Sequence, residues 1–532
     1  MSQLGRRAAI TTLVFALSGC AGRVAPGGPG GDELVGSPEH VGAASSRSED
    51  DSSAPRRRGA LWYRLSMEGT SLRVRLRLAS PPERVSFFLP GTWAGRDDHH
   101  AAITLRRART PKGDRSFTLH RAERRVDVDV GEAPWVELSY DVALAERDSD
   151  RERFSPQRVG AGYFAYATTL LILPSARVCE MLADIPIEVR VPHTFKIASN
   201  WPLAHDSRSR TNPEEHVFGF VAPDVASLRD AFVTAHDRLD VDEGAGATIV
   251  YERAFDGDRA ELSGAIRKIV AHYERLFGPQ RAVTALVRAP HEGKARTLWG
   301  TGRREGFVLE LTRDAPVDVH TKILIAHEAF HLWNGHQLVP TPEASARTQW
   351  FKEGVTQYVA LNALARLGVL SERDVLDEWA RVAARYARAT RGEGVLLDAL
   401  MREQLPYDRG LLIALALDLA LRQDPGSEAT LDDWILAMLE DLDADAGARY
   451  GEDELRDALV RVAPAGSRAE SVWAAAVERG DALDVPALFE SLGLHYLPPA
   501  SERPPRLIPL EDRRALFRSL LGAASEERRP AH

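Results

Sequence analysis

One short motif constrains this chain more than any other: "HEAFH", from His327 to His331, which follows the apolar stretch "KILIA". On a helix, the two histidines project from one face about one turn apart, so their imidazole rings can share one zinc ion. Glu328 is rotated by about 100° from His327, which places its carboxylate beside the open coordination position. The spacing therefore predicts two metal ligands and a general base on one buried helix. The alternative is an amphipathic helix whose histidines have other partners, and the motif alone leaves it open.

Two later blocks supply side chains that such a site requires. A catalytic zinc ion takes three protein ligands and keeps a fourth position open. In "WFKEGVTQY", Glu353 is a carboxylate among apolar neighbours on a predicted second helix, and it is the candidate third ligand. In "PYDRGLLIALALDLALR", Tyr407 precedes a long apolar segment that predicts a buried helix from about Arg409. The phenol of Tyr407 is a candidate to reach back to the metal.

The N-terminus resembles a bacterial lipoprotein signal. Arg6 and Arg7 precede the apolar stretch "AAITTLVFAL", which is too short to span a bilayer, and "LSGC" then ends at Cys20. This tetrapeptide resembles the lipobox, whose cysteine carries the lipid after the signal peptide is removed. We therefore expect a signal peptide over 1–19 and lipid anchoring through Cys20 in the bacterial cell envelope, with Ala21 favouring the outer membrane. An ordinary signal peptide with a chance cysteine is the alternative.

Composition limits the partners and the cross-links of the chain. The 532 residues carry a formal net charge of -9 without a concentrated basic face, so we expect no nucleic-acid partner. Residues 20–58 are rich in Gly, Pro, Ser and acidic residues, which predicts a disordered tether. Cys179 is the second of two cysteines and has no intramolecular partner if Cys20 is lipidated, so no disulfide is expected.

Periodicity divides the rest of the chain into a strand-rich and a helix-rich part. Between 59 and 242, segments such as "SLRVRLRLA" and "WVELSYDVAL" alternate apolar and polar residues, which predicts an antiparallel β-sandwich domain. Strands and helices mix from 243 to 370, the pattern is helical from 371 to 497, and 498–532 is a tail rich in proline and arginine. Strands followed by a helical half indicate the α+β fold class.

Taken in order, "HEAFHLWN", "WFKEGVTQY" and "YDRGLLIALALDLALR" resemble the three catalytic blocks of the glycyl aminopeptidase family of zinc metallopeptidases. That family belongs to the gluzincins, and the aminopeptidase N family is a more distant relative. "FFLPGTWAGRDD" and "VERGDALDVPALFESLGL" extend the resemblance over most of Ala60 to Leu494. The resemblance implies a thermolysin-like zinc peptidase domain with a mostly helical C-terminal half, and peptides or proteins as substrates.

Carried over residue by residue, the resemblance implies that the ligands of Zn2+ are His327, His331 and Glu353. Glu328 would be the general base, and Tyr407 would donate a hydrogen bond to the oxyanion that forms during hydrolysis. Tyr358 is the rival for this last role. We favour Tyr407, because Tyr358 follows Glu353 on its own helix and is expected to pack inward.

The sequence departs from the family at two positions near the site. Family members carry a Gly-Leu-Glu-His type segment whose glutamate holds the free amine of the substrate, whereas this chain has "WGTGRREGFVLEL". Glu305 is the nearest candidate for substrate binding, but Arg303 and Arg304 beside it would repel an ammonium group, which argues against strict aminopeptidase activity. The family also carries an acidic residue four positions after the glutamate ligand. This chain has Gln357, whose neutral amide orients a histidine less strongly.

These observations predict a zinc-dependent metallopeptidase that hydrolyses peptide bonds in the cell envelope, with aminopeptidase and endopeptidase activity both open. The alternative is a catalytically degenerate peptidase-fold lipoprotein that acts as an envelope binding protein. The complete set of ligands and base favours the enzyme, and the altered amine-binding segment favours the binding protein. Other polar features are interpreted as structural: His336 lies past the predicted helix end at Asn334, and Asp418 and Arg422 form a pair four residues apart on one helix.

Overall fold

The computed structural model describes residues 57–146, 150–209, 212–290, 297–391, 397–425, 427–444, 448–500, 503–510, 517 and 519–521. The predicted signal peptide, Cys20 and the tether up to residue 56 lie outside the described residues. The described residues divide into two compact units, one ending at Asp237 and the other beginning at Arg238. No helix among them combines the length and the apolar character needed to cross a membrane.

The first unit consists mainly of β-strands, as its alternating sequence predicts. Every second side chain of "SLRVRLRLA" is buried, as at Leu72, Val74 and Leu76, because successive side chains of a strand point to opposite faces. The strands are β1 (Arg57–Arg58), β2 (Leu61–Glu68), β3 (Ser71–Ala79), β4 (Arg84–Phe88), β5 (Ile103–Thr110), β6 (Gly113–Arg115), β7 (Phe117–His120), β8 (Arg125–Asp129), β9 (Trp135–Ala143), β10 (Gln157–Val159), β11 (Gly162–Tyr166), β12 (Leu173–Pro174), β13 (Leu182–Ala183), β14 (Ile185–Pro192), β15 (Lys196–Ser199), β16 (Leu203–Arg208), β17 (Glu215–Ala222) and β18 (Phe232–His236). The short helices are α1 (Ala167–Leu170), α2 (Ala176–Cys179) and α3 (Val225–Arg229).

These strands form one large sheet and three smaller ones. The orders are β16-β17-β14-β2-β3-β9-β5-β6, β10-β11-β18-β15, β12-β4-β8-β7 and β1-β13. Pairing is antiparallel except between β2 and β14 and between β1 and β13, which are parallel. Most of the pairing is thus antiparallel, as predicted, but the two parallel pairs were not expected. They join strands far apart in sequence, which local alternation does not report. Apolar side chains of the eight-stranded and four-stranded sheets share one core.

The second unit combines one mixed sheet with a series of helices. The sheet has the order β19-β20-β21-β23-β22, in which β20, β21 and β23 run parallel and the two edge strands run antiparallel to them. The strands are β19 (Leu239–Asp242), β20 (Thr248–Glu252), β21 (Thr284–Arg288), β22 (Leu298–Arg303) and β23 (Gly306–Leu311), followed near the end of the chain by the hairpin of β24 (Leu494–Leu497) and β25 (Arg506–Pro509). The unit begins a few residues before the boundary predicted at 242, because β19 pairs with β20.

The helices of the second unit share a single core with the sheet. They are α4 (Arg259–Phe277), α5 (Val319–Phe330), α6 (Thr356–Arg366), α7 (Glu372–Arg391), α8 (Leu397–Gln423), α9 (Leu431–Ala444), α10 (Glu452–Val462), α11 (Arg468–Trp473) and α12 (Val485–Ser491). Two π-helical turns, Trp350–Val355 and Ala474–Glu478, precede α6 and follow α11.

Two helix ends differ from the sequence-based expectation. α8 begins at Leu397 rather than near Arg409, so Tyr407 lies inside the helix together with Pro406. Proline usually ends or begins a helix, but all residues before it in "LDALMREQL" except Asp398 are strong helix formers. α5 ends at Phe330 rather than at Asn334, and the chain continues there as turns.

Candidate metal centre

Helix α5 positions two of the three predicted ligands. Asp318 caps its start, because the carboxylate accepts a hydrogen bond from the backbone N–H of Thr321 at 3.1 Å. The last turn of α5 carries His327 and Glu328, and His331 is the first residue after the helix. These three side chains are buried, so water does not satisfy their polar atoms, and each needs a partner within the protein.

Three buried donor atoms converge beside this helix end. The Nε2 atoms of His327 and His331 are 3.1 Å apart, and each lies 3.4 Å from Oε2 of Glu353. Among the residues that the structure describes, these side chains are the one group of three or more His, Cys, Asp or Glu residues that could hold a metal ion. The fold thus brings together the three side chains that the sequence proposes as ligands.

Both imidazole rings are oriented by partners on their other nitrogen. Nδ1 of His327 donates to Oε1 of Gln357 at 2.9 Å, and Nδ1 of His331 donates to the backbone carbonyl of Asn334 at 2.8 Å. Because these acceptors keep the proton on Nδ1, the Nε2 lone pairs of both rings point to the shared position.

The distances and the donor types fit a zinc ion. Zinc binds imidazole nitrogen and carboxylate oxygen at about 2.0–2.2 Å, so the ligand atoms of a tetrahedral site lie about 3.3–3.6 Å apart. The observed separations are 3.1, 3.4 and 3.4 Å. Two nitrogen lone pairs and a carboxylate oxygen that face each other so closely repel unless a cation lies between them. Two histidines and one glutamate are a ligand set of catalytic zinc sites.

Glu353 reaches the histidines on the π-helical turn Trp350–Val355, which packs very closely on α8. A Cβ atom on Gly354 would lie 2.3 Å from Cα of Gly410, and a Cβ atom on Gly410 would lie 2.1 Å from the carbonyl oxygen of Trp350. Both distances are far shorter than a van der Waals contact, so only glycine fits at these positions without movement of the backbone. Sequence reasoning missed this pair, because nothing in the sequence shows that the two glycines touch.

Strand β22 also lies close to the candidate centre. A Cβ atom on Gly300 would lie 2.5 Å from Cγ of Glu328, and a Cβ atom on Gly302 would lie 2.5 Å from Cβ of His331. The two glycines therefore allow α5 to lie against this edge strand. Their spacing in "WGTGR" was a visible signal, since glycine inside a strand often marks a close approach of another backbone or side chain.

Environment separates the pKa values of two neighbouring carboxyl groups. Burial raises the pKa of Glu328 to about 7, and the negative charge of Glu353 adds to this effect, while His327 and the backbone N–H of Gly302 oppose it. Burial acts in the same direction on Glu353, but the electrostatic influence of the neighbouring histidines, His331 most of all, holds its pKa well below the usual value. The carboxylate of Glu353 therefore stays ionised, as a metal ligand must be, whereas that of Glu328 can exchange a proton near neutral pH.

The structure distinguishes the two candidate tyrosines. The buried ring of Tyr407 lies near the metal ligands, with its centroid 6.0 Å from that of His327 and an interplanar angle of 27°. The hydroxyl of Tyr358 instead donates to Oδ2 of Asp418 at 2.7 Å, so the expected inward packing of Tyr358 is confirmed. The expected pair of Asp418 and Arg422 is also confirmed, at 2.9 Å.

The segment predicted to bind the substrate amine forms most of β22, the turn that follows it and β23. Glu305 occupies this turn with a positive φ of 63°. Arg304 donates to the carbonyl of His336 at 3.3 Å. Arg303 is buried at the end of β22, and its charge acts to lower the pKa of Glu328. The structure thus places a cation within electrostatic reach of the predicted general base.

Comparison with known proteins agrees with this geometry. Residues 321–397, which include the three candidate ligands, match the sequence model of the family described as M61 glycyl aminopeptidase. This match confirms the predicted resemblance over that stretch. A search of curated proteins gave no match.

Solved structures of aminopeptidase N family and M1 proteins share the fold. An aminopeptidase N family protein from Idiomarina loihiensis superposes with a TM-score of 0.65 at 18% identity, covering 82% of this chain and 79% of that one. An M1 zinc metallopeptidase from Deinococcus radiodurans superposes with a TM-score of 0.54 at 15% identity, covering 81% of this chain and 96% of that one. A form of the latter enzyme bound to a Tyr-Ser-Ala substrate gives a TM-score of 0.53, at 15% identity and with coverages of 81% and 95%. The family match and the shared fold together support a metallopeptidase.

Proposed function

We propose that this protein is a zinc-dependent metallopeptidase that hydrolyses peptide bonds in the bacterial cell envelope. The observation that carries the proposal is the convergence of His327, His331 and Glu353 on one point, with the carboxylate of Glu328 buried beside them. These three residues would hold the zinc ion. When bound, zinc supplies Lewis-acid chemistry that makes water a stronger nucleophile and polarises a peptide carbonyl.

Glu328 is proposed to move the proton. Its carboxylate accepts a proton from the attacking water and donates it to the amine that leaves when the peptide bond breaks. The approach of Gly300 to Glu328 and the N–H of Gly302 hold this carboxylate against β22. A general base must keep a fixed position relative to its substrate, and these contacts provide that restraint.

Tyr407 is proposed to stabilise the oxyanion. Its ring lies beside His327 on the buried side of α8, and a phenol donates one hydrogen bond. Charge on the carbonyl oxygen develops only as the peptide bond is attacked, so this donor would act mainly on the transition state. Tyr358 is already bonded to Asp418, which supports the choice of Tyr407.

We propose that a free substrate amine is not required. An aminopeptidase holds the ammonium group of its substrate with a carboxylate, but here Arg303 brings a positive charge towards Glu328. Like charges near the site would weaken binding of an ammonium group. The same feature is the best support for the alternative, a degenerate peptidase-fold protein that binds peptides without cleaving them.

The proposed location rests on the N-terminal sequence. The lipobox-like "LSGC" supports lipid attachment at Cys20, which would hold the protein at a membrane, with the outer membrane favoured. Peptides or small proteins of the cell envelope would then be the substrates.

Glu328→Gln distinguishes an enzyme from a binding protein. The amide keeps the size and shape of the side chain but cannot accept a proton, so the variant should retain zinc while peptide hydrolysis falls about 100- to 10,000-fold. Zinc content and cleavage of a peptide library are measured for the wild type and the variant. A zinc-loaded wild type that cleaves no peptide, with free or blocked ends, would favour the binding protein.

A further inference from the structure

We propose that Asn334 is a positioning residue that couples two of the metal ligands, His331 and Glu353, and thereby sets the affinity of the site for zinc. The residue lies in the turn after α5, outside the zinc-binding motif, and is buried. Its backbone contacts the ring of His331, and its side chain contacts the turn that carries Glu353. This inference rests on the proposed zinc centre.

The backbone of Asn334 fixes the first ligand. Its carbonyl oxygen accepts the hydrogen bond from Nδ1 of His331 at 2.8 Å. This bond keeps the proton on Nδ1 and aims Nε2 at the metal position. The position of the imidazole ring therefore depends on where the backbone of Asn334 lies.

The side chain of Asn334 holds the turn that carries the second ligand. Its amide nitrogen Nδ2 lies 3.0 Å from the carbonyl of Phe351, 3.3 Å from the carbonyl of Lys352 and 3.2 Å from the hydroxyl of Thr356. Thr356 in turn donates to the carbonyl of Lys352 at 2.6 Å. Asn334 and Thr356 thus hold the carbonyl group that directly precedes Glu353.

The orientation of the amide shows which of its atoms matter. Nδ2 faces three oxygen atoms, whereas Oδ1 of Asn334 is buried without a hydrogen-bond partner among the described residues. The reverse orientation would place Oδ1 against two carbonyl oxygens, which repel it. The donors of the amide therefore account for an asparagine at this position, and aspartate or leucine could not replace them.

Loss of the amide should move Glu353 relative to His331. The carbonyl groups of Phe351 and Lys352 would lose buried donors, and the π-helical turn would shift to find others. The backbone carbonyl that accepts from His331 remains in any Asn334 variant. Loss of the side-chain amide therefore affects only the connection between the turn after α5 and the π-helical turn that carries Glu353. Removal of a direct hydrogen-bond partner of a ligand changes metal affinity by about 10- to 100-fold. The Asn334 amide acts through the backbone beside Glu353, so its loss should fall at the lower end of this range, at about 10-fold.

The test measures zinc affinity in the full chain without its signal segment. Asn334→Ala should raise the zinc dissociation constant about 10-fold, measured by competition with a chromophoric chelator on protein shown to be folded by circular dichroism. In the cobalt-substituted protein, the d–d absorption bands of the variant should shift, because the geometry of the ligands changes. Asn362→Ala is the matched control: this asparagine is also buried, on α6, and its loss should leave zinc affinity within about twofold of the wild type.

A second pair of variants keeps the test decisive if Asn334→Ala does not fold. Thr356→Val removes the hydroxyl that joins Asn334 to the π-helical turn and keeps the shape of the side chain, so it should weaken zinc binding in the same direction but less. Thr356→Ser keeps the hydroxyl and should bind zinc as the wild type does. If Asn334→Ala folds and has the zinc affinity and cobalt spectrum of the wild type, this inference is wrong, while the proposed zinc centre stands. If Asn334→Ala does not fold, the same result in Thr356→Val has the same meaning. A wild type that binds no zinc would overturn both this inference and the proposed zinc centre.

Discussion

Gly410→Ala tests whether the contact between α8 and the π-helical turn holds the metal centre together. The added Cβ would lie 2.1 Å from the carbonyl oxygen of Trp350 and 2.8 Å from Cα of Gly354. An ordinary carbon–oxygen contact measures about 3.3 Å or more, so the two backbones must separate by about 1 Å. Neither contact is with a flexible side chain, so no rotamer change relieves the clash.

The expected loss follows from two opposing effects. Overpacking costs about 1–3 kcal/mol, and a clash between two backbones belongs at the upper end of that range. Alanine is a better helix former than glycine by about 1 kcal/mol, which offsets part of the cost. We therefore expect Gly410→Ala to lower the free energy of unfolding by about 2 kcal/mol. Because the π-helical turn carries Glu353, a displacement of about 1 Å should also reduce peptide hydrolysis about 100-fold.

Urea denaturation of the zinc-loaded protein and steady-state hydrolysis measure these two effects. Gly264→Ala is the matched control, since Gly264 lies on the exposed face of α4 and a Cβ atom there meets nothing within 4 Å. That variant should gain up to about 1 kcal/mol from helix propensity and keep full activity. If Gly410→Ala is as stable as Gly264→Ala, the close packing of α8 on the turn does not constrain the site, and the reasoning is wrong.

Four further outcomes are expected. His327→Ala should lose zinc, because one of three ligands is removed, whereas the control His336→Ala should keep about one zinc ion per chain. Elemental analysis measures the zinc content, and equal content in the two variants would refute the ligand assignment. Tyr407→Phe should lower kcat with little change in KM. Tyr358→Phe should lower the free energy of unfolding by about 1–3 kcal/mol, because it removes a buried hydrogen bond. A loss of kcat in Tyr358→Phe and a loss of stability in Tyr407→Phe would exchange the two roles. Blocking the N-terminus of a peptide should not abolish cleavage, and strict dependence on a free amine in a peptide-library profile would contradict the inferred effect of the arginine beside the site. Cys20→Ser should move the protein from the membrane fraction to a soluble fraction, and continued detergent-dependent extraction would argue against the lipid anchor.

Local sequence was sufficient to predict the features that depend on local geometry. His327 and His331 could be placed together because residues four apart share a face of any helix, wherever that helix lies in the fold. Glu328 could be placed beside them because the next residue is rotated by about 100°. The buried face of "SLRVRLRLA" could be predicted for the same reason, since alternation is a property of a single strand. Glu353 could be named as a third ligand from its place among apolar neighbours, but its distance from the histidines could not.

Tertiary structure decided the features that depend on which segments touch. The parallel pairing of β2 with β14, the contact of Gly354 with Gly410 and the bonds from Asn334 to the π-helical turn all join residues that are separated along the chain. Local sequence also misplaced the start of α8, because the proline in it is tolerated inside the packed helix. A motif states which groups can bind a metal, since residue type and helical spacing set the chemistry. Only the packing of α5, β22 and α8 around the π-helical turn brings the Nε2 atoms of His327 and His331 to within 3.4 Å of the Glu353 carboxylate. The reason is that the close approach of these segments is a property of the folded chain.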